Sequence, residues 1–138
     1  MPRHINTLNG LITLLNDDPL ASSPDLPVSS VLAQMIETVV KTTNLSININ
    51  STTGGVHSPR SFHYHGQAVD INRLDGKRID DVSNAANVQV FQQAVAAHAD
   101  VAECFGPFIC IRKRGALIEQ RPDLRIRHLN HLHISSQT

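Results

Sequence analysis

An aspartate stands in the middle of an otherwise apolar stretch, in the sequence QAVDIN at residues 67–72. The apolar and β-branched residues predict a strand, whose successive side chains point to opposite faces. Val69 and Ile71 therefore share one face, which can enter the core. Asp70 lies on the other face, where the small Ala68 leaves room beside the carboxylate. The fold must bury the first face while giving Asp70 a polar partner.

The sequence NHLHIS, at residues 130–135, repeats this arrangement near the end of the chain. It predicts a strand with Leu132 and Ile134 on one face. His131 and His133 then lie on the opposite face. If this strand neighbours the strand that carries Asp70, the carboxylate and the two imidazoles can converge.

A third ligand candidate, His63, precedes the aspartate strand at the end of a turn-rich loop. Gly66 follows three residues later, and a glycine allows either a positive φ or a close approach to another backbone, which would fold His63 back over Asp70. Histidine is abundant, with eight residues of which three fall in 57–65 and three in 128–133. Two imidazoles and one carboxylate with an open fourth position are typical of hydrolytic zinc sites. Zinc in such a site lowers the pKa of a bound water to about 7 and polarises a carbonyl.

The remaining pattern predicts one α+β domain over residues 1–138, with a small, mostly antiparallel sheet flanked by helices. Apolar spacings of three and four predict three helices, at 4–16, 28–42 and 85–99. Two further strands are predicted, LSINI at 45–49 and FICIRK at 108–113. A D-G turn at residues 75–76 predicts a tight reversal, and residues 114–127 form a basic connection.

The composition excludes several classes of function. Twelve basic and twelve acidic side chains cancel, so no long-range field steers nucleic acid or an anionic membrane. No apolar run approaches the ~20 residues of a membrane span. We interpret the N-terminus as an amphipathic helix, not a signal peptide, and expect a protein made in the cytoplasm. Cys104 and Cys110 lack zinc-motif spacing and are either buried thiols or, outside the cytoplasm, a disulfide.

Two motifs resemble those of a known superfamily. SFHYHGQAVDI at 61–71 is similar to the Ser-x-His-x-x-Gly-x-Ala-x-Asp signature of zinc peptidases that comprise D-Ala-D-Ala carboxypeptidases, murein endopeptidases and Hedgehog-like domains. NHLHI resembles the His-x-His element of many members, and ININSTTGG resembles the strand lining their cleft. The resemblance implies a Hedgehog/D-Ala-D-Ala-peptidase-like fold. It also implies His63, Asp70 and His133 as ligands of Zn2+.

The resemblance further implies roles for residues around the ligands. His131 would position the attacked carbonyl or carry a proton to the leaving amine, and Ser61 would order the loop. Asn130 departs from the family, because many carboxypeptidase members have an acidic general base there; His131 would replace it. Many members also have an arginine in the cleft, and Arg60 is the nearest substitute for it in this sequence. Arg60 either stabilises the developing oxyanion or is a solvent-facing loop residue.

Three more histidines each have more than one possible role. His57 and His65 are a fourth ligand, a substrate contact or plain loop residues, and His128 is a rim residue or an exposed one.

The leading hypothesis is a zinc metallopeptidase that cleaves an amide bond in peptidoglycan peptides, as a carboxypeptidase or an endopeptidase. Without an export signal, it would reach the cell wall after release or delivery, for example as a phage endolysin or virion-associated protein. Two alternatives are a non-catalytic zinc-binding Hedgehog-like module and a structural phage protein with a vestigial site. The composition indicates no nucleic-acid partner and no membrane insertion.

Overall fold

The computed structural model describes residues 1–53, 62–63 and 65–138. Within these ranges it is an α+β fold with two α-helices and one eight-stranded sheet. The helices are α1 (Ser30–Thr43) and α2 (Ala85–Ala97). The strands are β1 (Ile12–Leu14), β2 (Ile47–Ser51), β3 (Ala68–Leu74), β4 (Lys77–Arg78), β5 (Val101–Phe105), β6 (Cys110–Arg114), β7 (Leu117–Gln120) and β8 (Leu132–Ser136).

The strands are ordered β1-β2-β3-β8-β5-β6-β7, and β4 pairs with β3 outside this path. Among the described strands, β1 and β2 pair in parallel and every other pair is antiparallel. The predicted fold class and the mostly antiparallel pairing are confirmed. The sheet is larger than predicted and mixed, because β1, β5 and β7 were not expected as strands.

Both helices pack on the same side of the sheet, with α1 against β8 and α2 against β5. Ser29 begins α1 by accepting a hydrogen bond on its Oγ from the Leu32 amide, as an N-cap serine does. The helix ends at Asn44, in the left-handed conformation that asparagine tolerates. The predicted helices at 28–42 and 85–99 are confirmed. Neither helix of the described residues is long and apolar enough to span a membrane.

The core lies between the helices and the sheet and includes the apolar faces of β3 and β8. Val69, Ile71, Leu132 and Ile134 are all fully buried within it. Because neighbouring side chains of a strand alternate, the residues between them point to the open face of the sheet, opposite the helices. This confirms the predicted two-faced character of both strands.

The predicted N-terminal helix at 4–16 is wrong. A short 3-10 turn at Leu8–Gly10 and strand β1 occupy this segment. Leu8, Asn9 and Gly10 all have positive φ, which no right-handed helix allows. Asn-Gly is a strong turn dipeptide, and the chain gains more from pairing β1 with β2 than from local helix spacing.

The predicted connection at 114–127 is wrong in part, because β7 lies within it. Gly115 has a φ of 60°, which allows a two-residue loop between β6 and β7. Strand β5 was also not predicted. It is buried throughout and lies between β8 and β6, so its sequence lacks the alternation that marks a half-exposed strand. The D-G reversal is confirmed as the turn at Asp75 and Gly76, both with positive φ.

Candidate metal centre

Strand pairing brings Asp70 and His133 together. In the antiparallel β3–β8 ladder they are direct cross-strand partners. The Nδ1 atom of His133 lies 3.2 Å from Oδ1 of Asp70. Both side chains point to the open face, because their apolar neighbours occupy the core face. The condition stated for convergence, that these two strands are neighbours, is therefore met.

His63 reaches the same point from the loop before β3. Gly66 takes a φ of 70°, which is one of the two alternatives that the sequence left, and its amide donates a hydrogen bond to the His63 carbonyl. This turn folds the His63 ring over β3, with Nε2 3.3 Å from Oδ2 of Asp70. The rings of His63 and His133 meet edge to face, with centroids 5.1 Å apart.

The second ring nitrogen of each histidine is engaged away from Asp70. Nδ1 of His63 lies 2.8 Å from the carbonyl oxygen of Thr52. Nε2 of His133 lies 2.9 Å from Oε1 of Glu103. A carbonyl or an ionised carboxylate oxygen can only accept, so these two nitrogens carry hydrogens. In the neutral rings, the lone pairs of His63 Nε2 and His133 Nδ1 therefore point towards Asp70.

This donor set fits a divalent cation such as zinc. One ligand atom from each of His63, Asp70 and His133 lies within 4.8 Å of the other two. Two atoms bound to a tetrahedral ion at about 2.0–2.1 Å lie about 3.4 Å apart. The distances of 3.3 and 3.2 Å from Asp70 to the two imidazoles agree with that spacing. Hydrogen bonds that fix the far nitrogen are the usual support of metal-binding histidines.

The electrostatics of the group also call for a positive charge. Burial opposes ionisation of Asp70, but hydrogen bonds from His133 and His63 outweigh it and hold its pKa well below the usual range. Burial likewise disfavours the imidazolium of His133, yet its hydrogen bonds to Asp70 and Glu103 raise its pKa to about 9. Two lone pairs aimed at a carboxylate repel it unless a proton or a cation lies between them. A metal ion would take the place of that proton.

Two clefts open on either side of this group. Asp70 lines the first, together with Asn50, Asn72, Arg73, Asn130 and His131, among others. His133 lines the second, together with Phe62, Glu103, Phe105, Arg112 and His128, among others. The side chains of Asp70 and His133 are 22% and 15% exposed, so ligands can reach the group from the open face.

The structure places His131 before β8, which begins at Leu132, so its prediction as a strand residue is wrong. Its ring nevertheless lies in the same cleft as Asp70 and packs against His128, with centroids 4.9 Å apart. Nδ1 of His131 lies 2.9 Å from Oδ1 of Asn130. Burial lowers the pKa of His131, so the neutral ring prevails at pH 7.

The structure describes some of the other residues that the sequence singled out, and others lie outside the described residues. Arg60, Ser61 and His57 lie outside the described residues. His65 is exposed, and it is not part of the group of ligand atoms around Asp70. His128 is half-buried, with its ring 5.2 Å from that of Phe105, which agrees with a rim position.

Sequence reasoning missed Glu103, which contacts His133 directly. The signal was present, since Glu103 is the only charged residue in VAECF. A carboxylate in such a run needs buried partners, just as Asp70 does. Cys104 and Cys110 are buried free thiols, which is one of the two alternatives expected from the sequence. Burial raises the pKa of the Cys104 thiol to about 12.

Comparison of the chain with protein-family models and with curated proteins finds no match in either.

Proposed function

We propose that the protein is a zinc-dependent hydrolase that cleaves an amide bond in peptidoglycan peptides. The observation that carries the proposal is the convergence of His63, Asp70 and His133, each with a ligand atom within 4.8 Å of the others. Zinc is proposed because two imidazoles and one carboxylate are the protein ligands that catalytic zinc sites use. The three residues also occupy the motif positions that resemble the zinc peptidases, and we propose the same fold family.

The site resembles a catalytic zinc site more than a structural one. Structural zinc is usually enclosed by four protein ligands, whereas hydrolytic zinc keeps a position open. Three ligand candidates converge among the described residues, and they stand between two clefts on the open face. An extended peptide could therefore lie across the site with its scissile bond near Asp70.

When bound, zinc would supply the Lewis acid that activates water and polarises the scissile carbonyl. The chain's own residues would do the rest. Asp70 and the two histidines would hold the ion. His131 shares a cleft with Asp70, where its neutral ring can accept a proton from the attacking water and pass it to the leaving amine. Arg60 stays a prediction for the oxyanion partner.

One observation favours a second candidate, a non-catalytic zinc-binding module. Asn130, at the position where many carboxypeptidase relatives have an acidic base, has an amide that cannot take a proton at neutral pH. In this candidate the metal stabilises the fold or a partner surface. Delivery to the cell wall by lysis or on a phage particle accompanies the first candidate, and a structural phage role accompanies the second.

Metal analysis followed by digestion of purified peptidoglycan separates the two. We expect the wild-type protein to hold one zinc ion and to release peptides or amino acids that mass spectrometry of the muropeptides identifies. His63→Ala should release none. A zinc-loaded wild-type protein that leaves the muropeptides unchanged would contradict the hydrolase and favour the module.

A further inference from the structure

Glu103 is a buried carboxylate that contacts His133 of the candidate metal centre on the side of the ring away from Asp70. Its side chain is 7% exposed and lies on β5, next to β8 in the sheet. Oε1 of Glu103 is 2.9 Å from Nε2 of His133, the ring nitrogen that faces away from Asp70. Glu103 is outside the group whose ligand atoms converge, so it reaches the metal position only through His133.

Glu103 is itself held by a complete set of donors. The hydroxyl of Ser135 donates to Oε1 at 3.1 Å. The guanidinium of Arg112 donates to Oε2 through both Nε and Nη2, at 3.2 and 3.1 Å. These bonds offset the cost of burying the charge and leave its carboxylate a single orientation. A chain of contacts therefore runs from Arg112 through Glu103 to His133.

Strand β5 fixes the His133 ring in a second way. Phe105, two residues after Glu103 and on the same face, stacks on this ring with centroids 5.4 Å apart and planes inclined by 15°. The stacking sets the plane of the ring, and the hydrogen bond to Glu103 sets its rotation within that plane. Together they direct Nδ1 of His133 towards Asp70.

We propose that Glu103 is a positioning residue of the metal centre, which holds a hydrogen on Nε2 of His133 and thereby presents Nδ1 to a divalent zinc ion. This inference rests on the proposed zinc-dependent function. The carboxylate also makes the imidazole a stronger donor, because it stabilises positive charge that develops on the ring when the metal binds. Glu103 is not one of the converging ligand residues, and in this role it acts on the metal through His133.

The chain provides a matched control on the other side of Arg112. In the sheet, Arg112 is the cross-strand partner of Glu103 on β5 and of Glu119 on β7. Glu119 is 48% exposed and lies one strand further from His133. Glu103→Gln and Glu119→Gln therefore remove the same charge from either flank of one arginine, and only the first removes it from His133.

The test measures zinc affinity by competition with a chelator, with circular dichroism of the metal-free proteins as the check on folding. Loss of an outer partner of a metal-binding histidine lowers affinity by about 10–100-fold. We expect that loss in Glu103→Gln, with one zinc ion still bound at saturation, and no change in Glu119→Gln. Equal affinities of Glu103→Gln and the wild type would overturn the proposal.

A measurement on the wild type keeps the proposal testable even if Glu103→Gln does not fold. Nitrogen-15 NMR of the zinc-loaded protein should show His133 with a hydrogen on Nε2 and the metal on Nδ1. A metal on Nε2 would overturn the assignment of Glu103. A wild type that binds no zinc would instead refute the proposed function, so the two failures are distinguishable.

Discussion

Asp70 and His133 are direct partners across the β3–β8 ladder, and a carboxylate oxygen of one lies 3.2 Å from a ring nitrogen of the other. The two residues are 63 positions apart in the chain. The ring of His63 completes the group, with its Nε2 atom 3.3 Å from Oδ2 of Asp70. Because both strands are anchored in the core by their alternate residues, the open-face pair is held in a fixed geometry. That rigidity is what a metal site requires.

Removing any one of the three ligand candidates should abolish stoichiometric zinc binding. His63→Ala, Asp70→Ala and His133→Ala each leave two ligands for an ion that needs three from the protein. Zinc content after dialysis measures the effect, and His4→Ala, at an exposed histidine paired with Asp25, is the control. A full equivalent of zinc in any of the three variants would remove that residue from the ligand set.

Zinc should also raise the melting temperature of the wild type, because an ion that binds only the folded state stabilises it. At a free zinc concentration of 100 times the dissociation constant the gain is about 2.7 kcal/mol. Thermal unfolding with and without a chelator measures it. The three ligand variants should show no such shift, whereas His4→Ala should behave as the wild type does.

His131→Ala should keep its zinc and lose most of its hydrolytic activity. The ring lies in the cleft with Asp70 but outside the group of converging ligand atoms. Loss of a general acid or base typically costs about 10²–10⁴-fold in rate. Turnover of muropeptides at equal zinc content measures the effect, and unchanged kinetics would eliminate His131 as the proton carrier.

Gly66→Ala should weaken zinc binding as well as stability. Gly66 has a φ of 70°, and an added Cβ would lie 3.3 Å from Cγ2 of Thr53, next to the residue whose carbonyl holds His63. Gly76→Ala is the control, with a φ of 78° and nothing within 4 Å of an added Cβ. Both should lose roughly 1 kcal/mol of stability to backbone strain. Equal zinc affinity in the two variants would show that the Gly66 turn does not position His63.

Stability should fall at acidic pH partly through the pair of Arg3 and Glu37, which ties the N-terminus to α1. The guanidinium contacts both carboxylate oxygens at 2.7 Å, and the Asn6 amide donates a third bond. Burial opposes ionisation of Glu37, but these bonds outweigh it and lower its pKa. A lowered folded-state pKa gives stability that is present above the unfolded pKa and is lost as the pH falls through the folded pKa.

The corresponding variant is Glu37→Gln, which we expect to lose about 1–2 kcal/mol of unfolding free energy at pH 7, since Arg3 is partly exposed. Its deficit should shrink as the pH falls from the unfolded pKa of Glu37 through its lower folded pKa. Urea unfolding across this range measures both effects. Asp80→Asn, which breaks the exposed pair with Arg78, should leave stability at pH 7 nearly unchanged. A deficit in Glu37→Gln that did not change with pH would contradict the linkage.

Gln92→Ala should be strongly destabilising, because this buried amide serves the turn between β5 and β6. Its Oε1 accepts from the amides of Phe108 and Ile109, and its Nε2 donates to the Ile109 carbonyl. Orphaned polar groups and a cavity together predict a loss of about 2–4 kcal/mol. Gln89→Ala, at an exposed position of the same helix, should be nearly neutral in urea unfolding. A loss as small as that of Gln89→Ala would contradict the structural role.

The sequence by itself determined the two faces of β3 and β8, and the family resemblance singled out the three residues whose ligand atoms converge. Alternation fixes which side chains leave the core, so Asp70 and His133 had to share the polar side with any neighbouring partner. A positive φ at Gly66 was one of the two alternatives open in the sequence, because glycine takes that conformation without strain.

Only the tertiary structure decided which strands are neighbours. The contact of Glu103 with His133 follows from the position of β5 between β8 and β6. The sequence did not indicate it, because a fully buried strand shows no alternation and a single carboxylate does not indicate which residue it pairs with. The N-terminal segment became β1 because the ladder with β2 outweighed a local helical spacing already broken by Asn9 and Gly10. Local pattern sets the direction of a side chain, whereas long-range pairing sets what that side chain meets.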